Sequence, residues 1–130
     1  DKTKYGATLH FMSNDLDAGD IIAQREIEVK PNVTANELYQ SVLKVEEQLF
    51  KDSFTNLLTL KPTRTKQVKE GTSYNKKDLA KVQKIDLNEK IFASDLIDKL
   101  RALTTNNIDE AAYFIVDEKK YRVQVNIVPE

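Results

Sequence analysis

The sequence predicts an α/β fold, with two short strands beside one long amphipathic helix and a smaller helix-plus-β-hairpin extension after them. Three observations carry this. Residues 6–12 and 21–29 have strand periodicity, residues 34–58 repeat apolar side chains at helical spacing, and residues 111–128 alternate around a short charged turn.

The first strand sets Leu9 and Phe11 on one side and Thr8 and His10 on the other, as a half-buried strand does. Residues 13–20 are rich in Asn, Asp and Gly and predict a turn. The second strand places Ile21, Ala23, Ile27 and Val29 on its apolar side, with Arg25 as the one interruption. The loop is short enough for the two strands to be neighbours in one sheet. Pro31 and Asn32 end the second strand, and Thr34-Ala-Asn-Glu37 reads as a capping box. In that motif the hydroxyl accepts from the amide of Glu37 while the carboxylate reaches back. Behind it, Ala35, Leu38, Val42, Val45 and Leu49, then Phe50, Phe54, Leu57 and Leu58, fall at spacings that make one wide apolar face. Such a face needs a sheet or further helices against it.

Residues 61–77 contain Pro62, Gly71 and several Lys and Thr without a period, and predict a loop. A short helix is expected over about Asp78 to Lys84. A longer one covers about Ser94 to Leu103, with Leu96, Leu100 and Leu103 on one face beside Ile97, and Thr104 to Asn107 stop it. Ala111–Val116 and Tyr121–Val128 then read as a hairpin turning near Asp117–Lys120, with Tyr121, Val123, Val125 and Ile127 along one face. The expected organisation is an α/β portion over 1–60, a basic linker over 61–77 and the extension over 78–130.

Composition bounds the function. A chain with 40% hydrophobic and 32% charged residues suits a folded soluble domain. Its net charge of -1 gives no overall field to recruit nucleic acid or a membrane surface. The charge is unevenly spread: Lys and Arg against Asp and Glu number 6 and 10 over residues 1–60, 9 and 4 over 61–90, and 5 and 7 over 91–130. The basic middle is either a solvated linker or a receiver for a phosphorylated ligand. The absence of cysteine excludes disulfides, thiolate nucleophiles and cysteine-ligated zinc, and a single histidine excludes multi-histidine metal sites. No run approaches the ~20 apolar residues of a membrane-spanning helix. The opening D-K-T-K-Y-G has no signal-peptide core, so cytoplasm is the expected compartment. An opening without methionine that enters a strand pattern almost at once suggests a piece of a longer chain.

Asp15, Asp17 and Asp20 stand within six residues, between two apolar runs. A calcium loop fails the test of position. Its turn glycine belongs at the sixth place, where Asp20 stands; Gly19 occupies the fifth, a ligand place; and strands flank the loop where helices are required. Two readings remain. Either this is a polar turn with hydrated carboxylates, shaped by Gly19, or one Asp orients an imidazole and stabilises its cation. His10 projects from the preceding strand on the Thr8 face, where a packing or hydrogen-bonding role is equally compatible. Spacing alone leaves both open.

Taken together, Gly6-Ala-Thr-Leu-His-Phe-Met12, Leu16-Asp-Ala-Gly19 and Ile21-Ile-Ala-Gln24 resemble the distal half of the catalytic domain of formyltetrahydrofolate-dependent formyltransferases. Asp95-Leu-Ile-Asp-Lys-Leu-Arg-Ala-Leu-Thr104 resembles the helix that opens the family's C-terminal region. The resemblance implies that residues 1–60 are the distal part of a formyltransferase catalytic sheet. It also implies 10-formyltetrahydrofolate as cosubstrate and transfer of its formyl group to an amine. Asp17 is the implied catalytic residue, the charged partner of a proton-carrying imidazole. His10, Ser13, Asn14, Asp15, Leu16 and Gly19 are the implied cofactor contacts, His10 matching a histidine beside the loop and not the proton-relaying one. The family's Asn and its His-x-Ser-Leu-Leu-Pro segment have no match here. An N-terminal segment of the same enzyme is therefore an expected partner, and the 130 residues alone are expected to be inactive.

The ending, Gly71-Thr-Ser-Tyr-Asn-Lys-Lys-Asp-Leu79 with the following helix and hairpin, resembles the sugar-nucleotide N-formyltransferases. This implies an amino-sugar nucleotide as acceptor, with Tyr74, Lys76 and Lys77 as its expected contacts, and a homodimer formed through the C-terminal hairpin. Two alternatives stay open. One is a methionyl-tRNA formyltransferase-like enzyme, although the residues after Lys61 are few for a five-stranded barrel and lack the cationic excess of RNA binding. The other is a non-catalytic α+β interaction module that docks through its hairpin edge.

Overall fold

The computed structural model describes residues 3–14, 17–59, 61–67 and 76–130, the side chain of Lys76 excepted. It has the mixed helix-and-strand architecture that the sequence predicts, arranged as two compact units. One comprises Asp1–Lys30 and Tyr39–Thr72, the other Pro31–Leu38 and Ser73–Glu130.

In the first unit, strand β1 (Lys4–His10) pairs antiparallel with β2 (Ile21–Glu28), with Tyr5 opposite Ile27, Ala7 opposite Arg25 and Leu9 opposite Ala23. Directly opposed residues share a face, so these six side chains form one side of the ribbon and Ala7 is buried on it. Arg25, the polar interruption, has a partner there. Its Nη2 donates to Asp52 Oδ2 at 2.9 Å on helix α1 (Ala35–Leu58). Gln48 Nε2 donates to the other oxygen of Asp52 at 2.7 Å. The hydrogen bonds from Gln48 and Arg25 hold the Asp52 carboxyl below the usual carboxylate range. The opposite face is polar, with Gln24 Nε2 donating to Thr8 Oγ1 and Lys4 paired to Glu26, each at 3.0 Å.

The register slips between Leu9 and His10, which brings His10 opposite Ile21. A bulge of this kind re-aims a side chain and ends regular pairing; here it delivers His10 to the acidic loop. Beyond the bulge, Ile21 and Thr65 exchange both backbone hydrogen bonds, at 2.8 and 2.9 Å. Part of the segment read as a plain loop is thus a one-residue third strand. Its pairing is made by backbone alone, so it leaves no side-chain period to read.

Helix α1 is 24 residues long, about 36 Å at 1.5 Å per residue. Val42, Leu49 and Ser53 are buried along one stripe. A second stripe, Leu43, Phe50, Phe54 and Leu58, is exposed, with the two phenyl rings tilted against each other at 5.9 Å.

The second unit begins at the capping box. Thr34 donates both its amide and its hydroxyl to Glu37 Oε2 at 2.8 Å, and Thr34 Oγ1 accepts from the Glu37 amide at 3.4 Å. Asn36 N donates to Thr104 O and Arg101 Nε to Val33 O, both at 3.0 Å, fastening this turn to helix α3 (Ala93–Ala102). Helix α2 (Lys76–Gln83) leads into a backbone bond from Ile85 N to Tyr113 O at 2.7 Å. A single 3₁₀ turn at Ile108–Glu110, which carries no sequence period, precedes strands β3 (Ala112–Val116) and β4 (Lys119–Val123). Strand β4 stops short of the predicted Val128. Past Val123 the ladder gives way to bonds from the end of α3: Val125 N donates to Thr104 Oγ1 at 3.1 Å, and Gln124 Nε2 to Thr105 O at 2.9 Å.

The hairpin turn holds Asp117 and Glu118 at φ 48° and 61°. Two successive positive values define a type I′ turn, whose twist matches that of the strands. Glu118 has no side-chain reason to favour this region, which costs a non-glycine residue about 1–2 kcal/mol. Replacing Glu118 with Gly should therefore raise stability by about 1 kcal/mol in urea denaturation. Thr34→Ala, which removes the cap, should lower it by about 0.5–2 kcal/mol. The Thr34 amide and then its hydroxyl lower the Glu37 pKa from its ordinary 4.5. The cap's contribution is therefore fully present above that value and is lost as pH falls through the lower folded value. Because the variant keeps the amide that lowers the pKa most, acid titration of wild type and Thr34→Ala should show the stability gap narrowing, not vanishing, below about pH 4.5 as the hydroxyl's bond to the carboxylate is lost.

Candidate active site

The acidic loop between β1 and β2 is closed at its neck, where Phe11 N donates to Asp20 O at 2.9 Å. Within it, His10 Nδ1 lies 2.8 Å from Phe11 O. A carbonyl only accepts, so Nδ1 carries the hydrogen and Nε2 is the nitrogen free to exchange one. That Nε2 lies 3.7 Å from Asp17 Oδ1. The imidazole is 27% exposed and the carboxylate 82% exposed, so one partner is lodged in the fold and the other reaches into solvent. Asp17 holds a left-handed backbone at φ 54°, a region that Asp tolerates better than most residues.

Gly19 makes the loop possible. A Cβ there would sit 1.6 Å from Phe11 O and 3.3 Å from His10 Nδ1, against the carbonyl that receives the His10 proton. The glycine is needed for close approach, since its φ is not positive.

Residues 64–67 lie across the loop. The Arg64 guanidinium stacks on the Phe11 ring, 3.8 Å from its centroid, and its Nη1 lies 3.7 Å from Asp20 Oδ2. Gln67 Nε2 donates to both Asp17 O, at 2.9 Å, and Gly19 O, at 2.7 Å. Sequence reasoning gave these residues no role. They sit in an aperiodic segment about fifty positions downstream, and nothing local marks a side chain that bonds to distant backbone.

The structure thus brings His10, Asp17 and Gly19 together. Ser13 and Asn14 are exposed on the rim beside Met12, which is 97% exposed. Asp15, Leu16 and Tyr74 lie outside the described residues, as does the Lys76 side chain, while Lys77 is exposed in the first turn of α2, in the second unit. The resulting surface offers a carboxylate beside an imidazole of fixed tautomer, able to hold or pass a proton. It is flanked by the exposed thioether of Met12 and the exposed polar side chains of Ser13 and Asn14.

Two family models match. The model described as formyl transferase covers residues 2–53, and the one described as N-formyltransferase dimerization C-terminal domain covers residues 78–129. Both models describe formyltransferase domains, and together they match 104 of the 130 residues. It is 30% identical, over all 130 of its residues, to a dTDP-4-amino-4,6-dideoxyglucose formyltransferase of Mycobacterium tuberculosis, of which it covers 56%. A 4-N formyltransferase from Francisella tularensis superposes with a TM-score of 0.88 at 33% identity, covering 96% of this chain and 52% of that one. An N-formyltransferase from Helicobacter canadensis, solved with folinic acid and dTDP-3-aminofucose, gives 0.66 at 26%, covering 89% and 42%. The chain spans about half the length of the relatives it matches.

Gly19→Ala should open the neck of the loop and cost about 1–3 kcal/mol, as overpacking does. Denaturant melts, with amide exchange at residues 11–20, would read both effects.

Proposed function

We propose that the chain is the distal part of an N-formyltransferase that moves a formyl group from 10-formyltetrahydrofolate to the amine of a nucleotide-linked deoxyamino sugar. The observation that carries this reading is the closed loop that sets Asp17 beside His10 Nε2 at 3.7 Å. The family models and the relatives named for amino-sugar substrates support it. When bound, 10-formyltetrahydrofolate would supply the formyl group: the carbon's bond to the folate nitrogen breaks as its bond to the acceptor nitrogen forms, tetrahydrofolate leaves, and the acceptor nitrogen loses a proton. Asp17 stabilises the imidazolium of the family's proton-relaying histidine, which lies outside these residues, while His10 lines the loop beside it at 3.7 Å. Ser13, Asn14 and Met12, with Asp15, Leu16 and Gly19, form the loop against which the pterin lies.

The acceptor's pyrophosphate meets Lys76 and Lys77, and Tyr74 stacks on or hydrogen-bonds the nucleotide. The domain plan keeps 1–60 as catalytic portion, 61–77 as linker and 78–130 as extension, and two copies pair through the C-terminal region, which the dimerization model matches. The relative named for a dTDP-linked amino sugar, with the net charge of -1, favours a sugar nucleotide over tRNA as acceptor. No helix among the described residues is long and apolar enough to cross a membrane, and the proposed compartment is the cytoplasm. Turnover belongs to the complete enzyme, with the Asn and His of the family chemistry supplied by sequence outside these residues.

The test is formyl transfer by the complete enzyme with 10-formyltetrahydrofolate and dTDP-linked amino sugars. Asp17→Asn should lower kcat by about 10²–10⁴-fold, the usual worth of a group serving proton transfer, with folate affinity nearly unchanged. An Asp17→Asn enzyme with full kcat would overturn the reading. Replacing Tyr74, Lys76 and Lys77 together should weaken dTDP-sugar binding about tenfold or more by calorimetry, each lost phosphate contact being worth on the order of 1 kcal/mol.

A further inference from the structure

We propose that Gln67 is a positioning residue for formyl transfer: its side-chain amide clamps the carbonyls of Asp17 and Gly19 and so fixes where the Asp17 carboxylate stands. This rests on the proposed role of Asp17.

The Asp17 carboxylate is held through its backbone more than through its own contacts. Among the described residues its side-chain partner is His10 Nε2 at 3.7 Å, beyond hydrogen-bond length, and the group is 82% exposed. Among the described residues no side-chain bond locks it, so the backbone sets the arc its carboxylate can sweep. That backbone is in the left-handed region at φ 54°, inside a polar loop whose free conformations are many. Gln67 supplies the constraint. One NH₂ group donates to Asp17 O at 2.9 Å and to Gly19 O at 2.7 Å, which ties together the Asp17–Ala18 and Gly19–Asp20 peptide planes.

The clamp is itself anchored. Two residues before it, Thr65 exchanges paired backbone bonds with Ile21 at 2.8 and 2.9 Å, just past the loop's exit. Arg64 covers Phe11 at the loop's entrance and approaches Asp20 at its end. Gln67 therefore reaches the loop from a point tied to the sheet, and Asp17 inherits the rigidity of β2. A displacement of about 1 Å in a reacting group costs up to about a hundredfold in rate, so loss of the clamp should appear in kcat.

The experiment compares four forms of the complete enzyme: wild type, Gln67→Met, Asp17→Asn and the double variant, with Gln67→Lys as rescue. Methionine keeps the length and removes the donors, whereas the lysine ammonium can donate to both carbonyls. Gln67→Met should lower kcat about 10–100-fold while KM for the amino-sugar nucleotide stays within about twofold, and Gln67→Lys should recover most of the loss. On the Asp17→Asn background the same change should alter kcat less than about twofold, because a residue that acts through Asp17 has nothing left to position. Gln67→Glu, equal in shape but without the donors, is read in the same way if Gln67→Met does not fold. Unchanged kcat in Gln67→Met, or an equal loss with and without Asp17, overturns the proposal and leaves the formyl-transfer reading standing. A wild-type enzyme without formyl transfer overturns both.

Discussion

The contact between Gly19 and the carbonyl of Phe11 is the constraint from which the first unit's chemistry follows. No side-chain carbon fits there, since it would lie 1.6 Å from the oxygen. Because the glycine lets the chain pass, the loop closes through Phe11 N and Asp20 O. The same carbonyl then receives the His10 Nδ1 hydrogen, which fixes the tautomer and turns Nε2 toward Asp17. One missing Cβ thus decides a backbone path, a proton position and the neighbour of a carboxylate.

The second unit solves a different problem. Among its described residues the buried apolar ones are few and mostly small, namely Leu103, Ala111 and Ala112. Order comes instead from long polar side chains that satisfy backbone carbonyls. Asp109 O and Ala111 O, in the turn before β3, each accept from both Gln83 Nε2 and Arg122 Nη1, at 2.7 to 3.4 Å. Lys99 Nζ caps Lys84 O at 2.7 Å, and Thr104 Oγ1 serves as both donor and acceptor. Buried carbonyls demand such partners. Apart from the Thr104–Leu100 bond, these join residues 11 or more positions apart, which locks α2, α3 and the hairpin into one arrangement.

That difference explains what the sequence disclosed. The two strands, helix α1 with its Thr34–Glu37 cap, and helices α2 and α3 were legible because periodicity and capping are local. Arg25 broke the period of β2, and only Asp52, on another element, accounts for it. The early end of β4 depends on Thr104 and Thr105, and the third pairing of Ile21 depends on Thr65; neither has a local pattern. At the candidate site, spacing could not separate Asp17 from an ordinary hydrated turn residue. The family resemblance singled it out, and the geometry supplies its neighbour. Arg64 and Gln67 were illegible for the same reason as Thr65: their meaning lies in backbone atoms about fifty residues away.

Exposure sets how much the His10–Asp17 pair can contribute. At 3.7 Å in water, a protonated imidazole and a carboxylate attract by about 1 kcal/mol; at the effective dielectric of a partly covered protein site, the same separation is worth about 4 kcal/mol. A carboxylate that steadies a neighbouring cation serves a reaction through the second figure and not the first. With Asp17 82% exposed and Met12 97% exposed, the loop as it stands lies near the aqueous limit. On the proposed reading, cover comes from the pterin and from the rest of the enzyme, so that the pair strengthens only when cosubstrate is in place. A backbone clamp then has a clear value: it holds the carboxylate in register beforehand, while solvent still screens the attraction that would otherwise have to hold it.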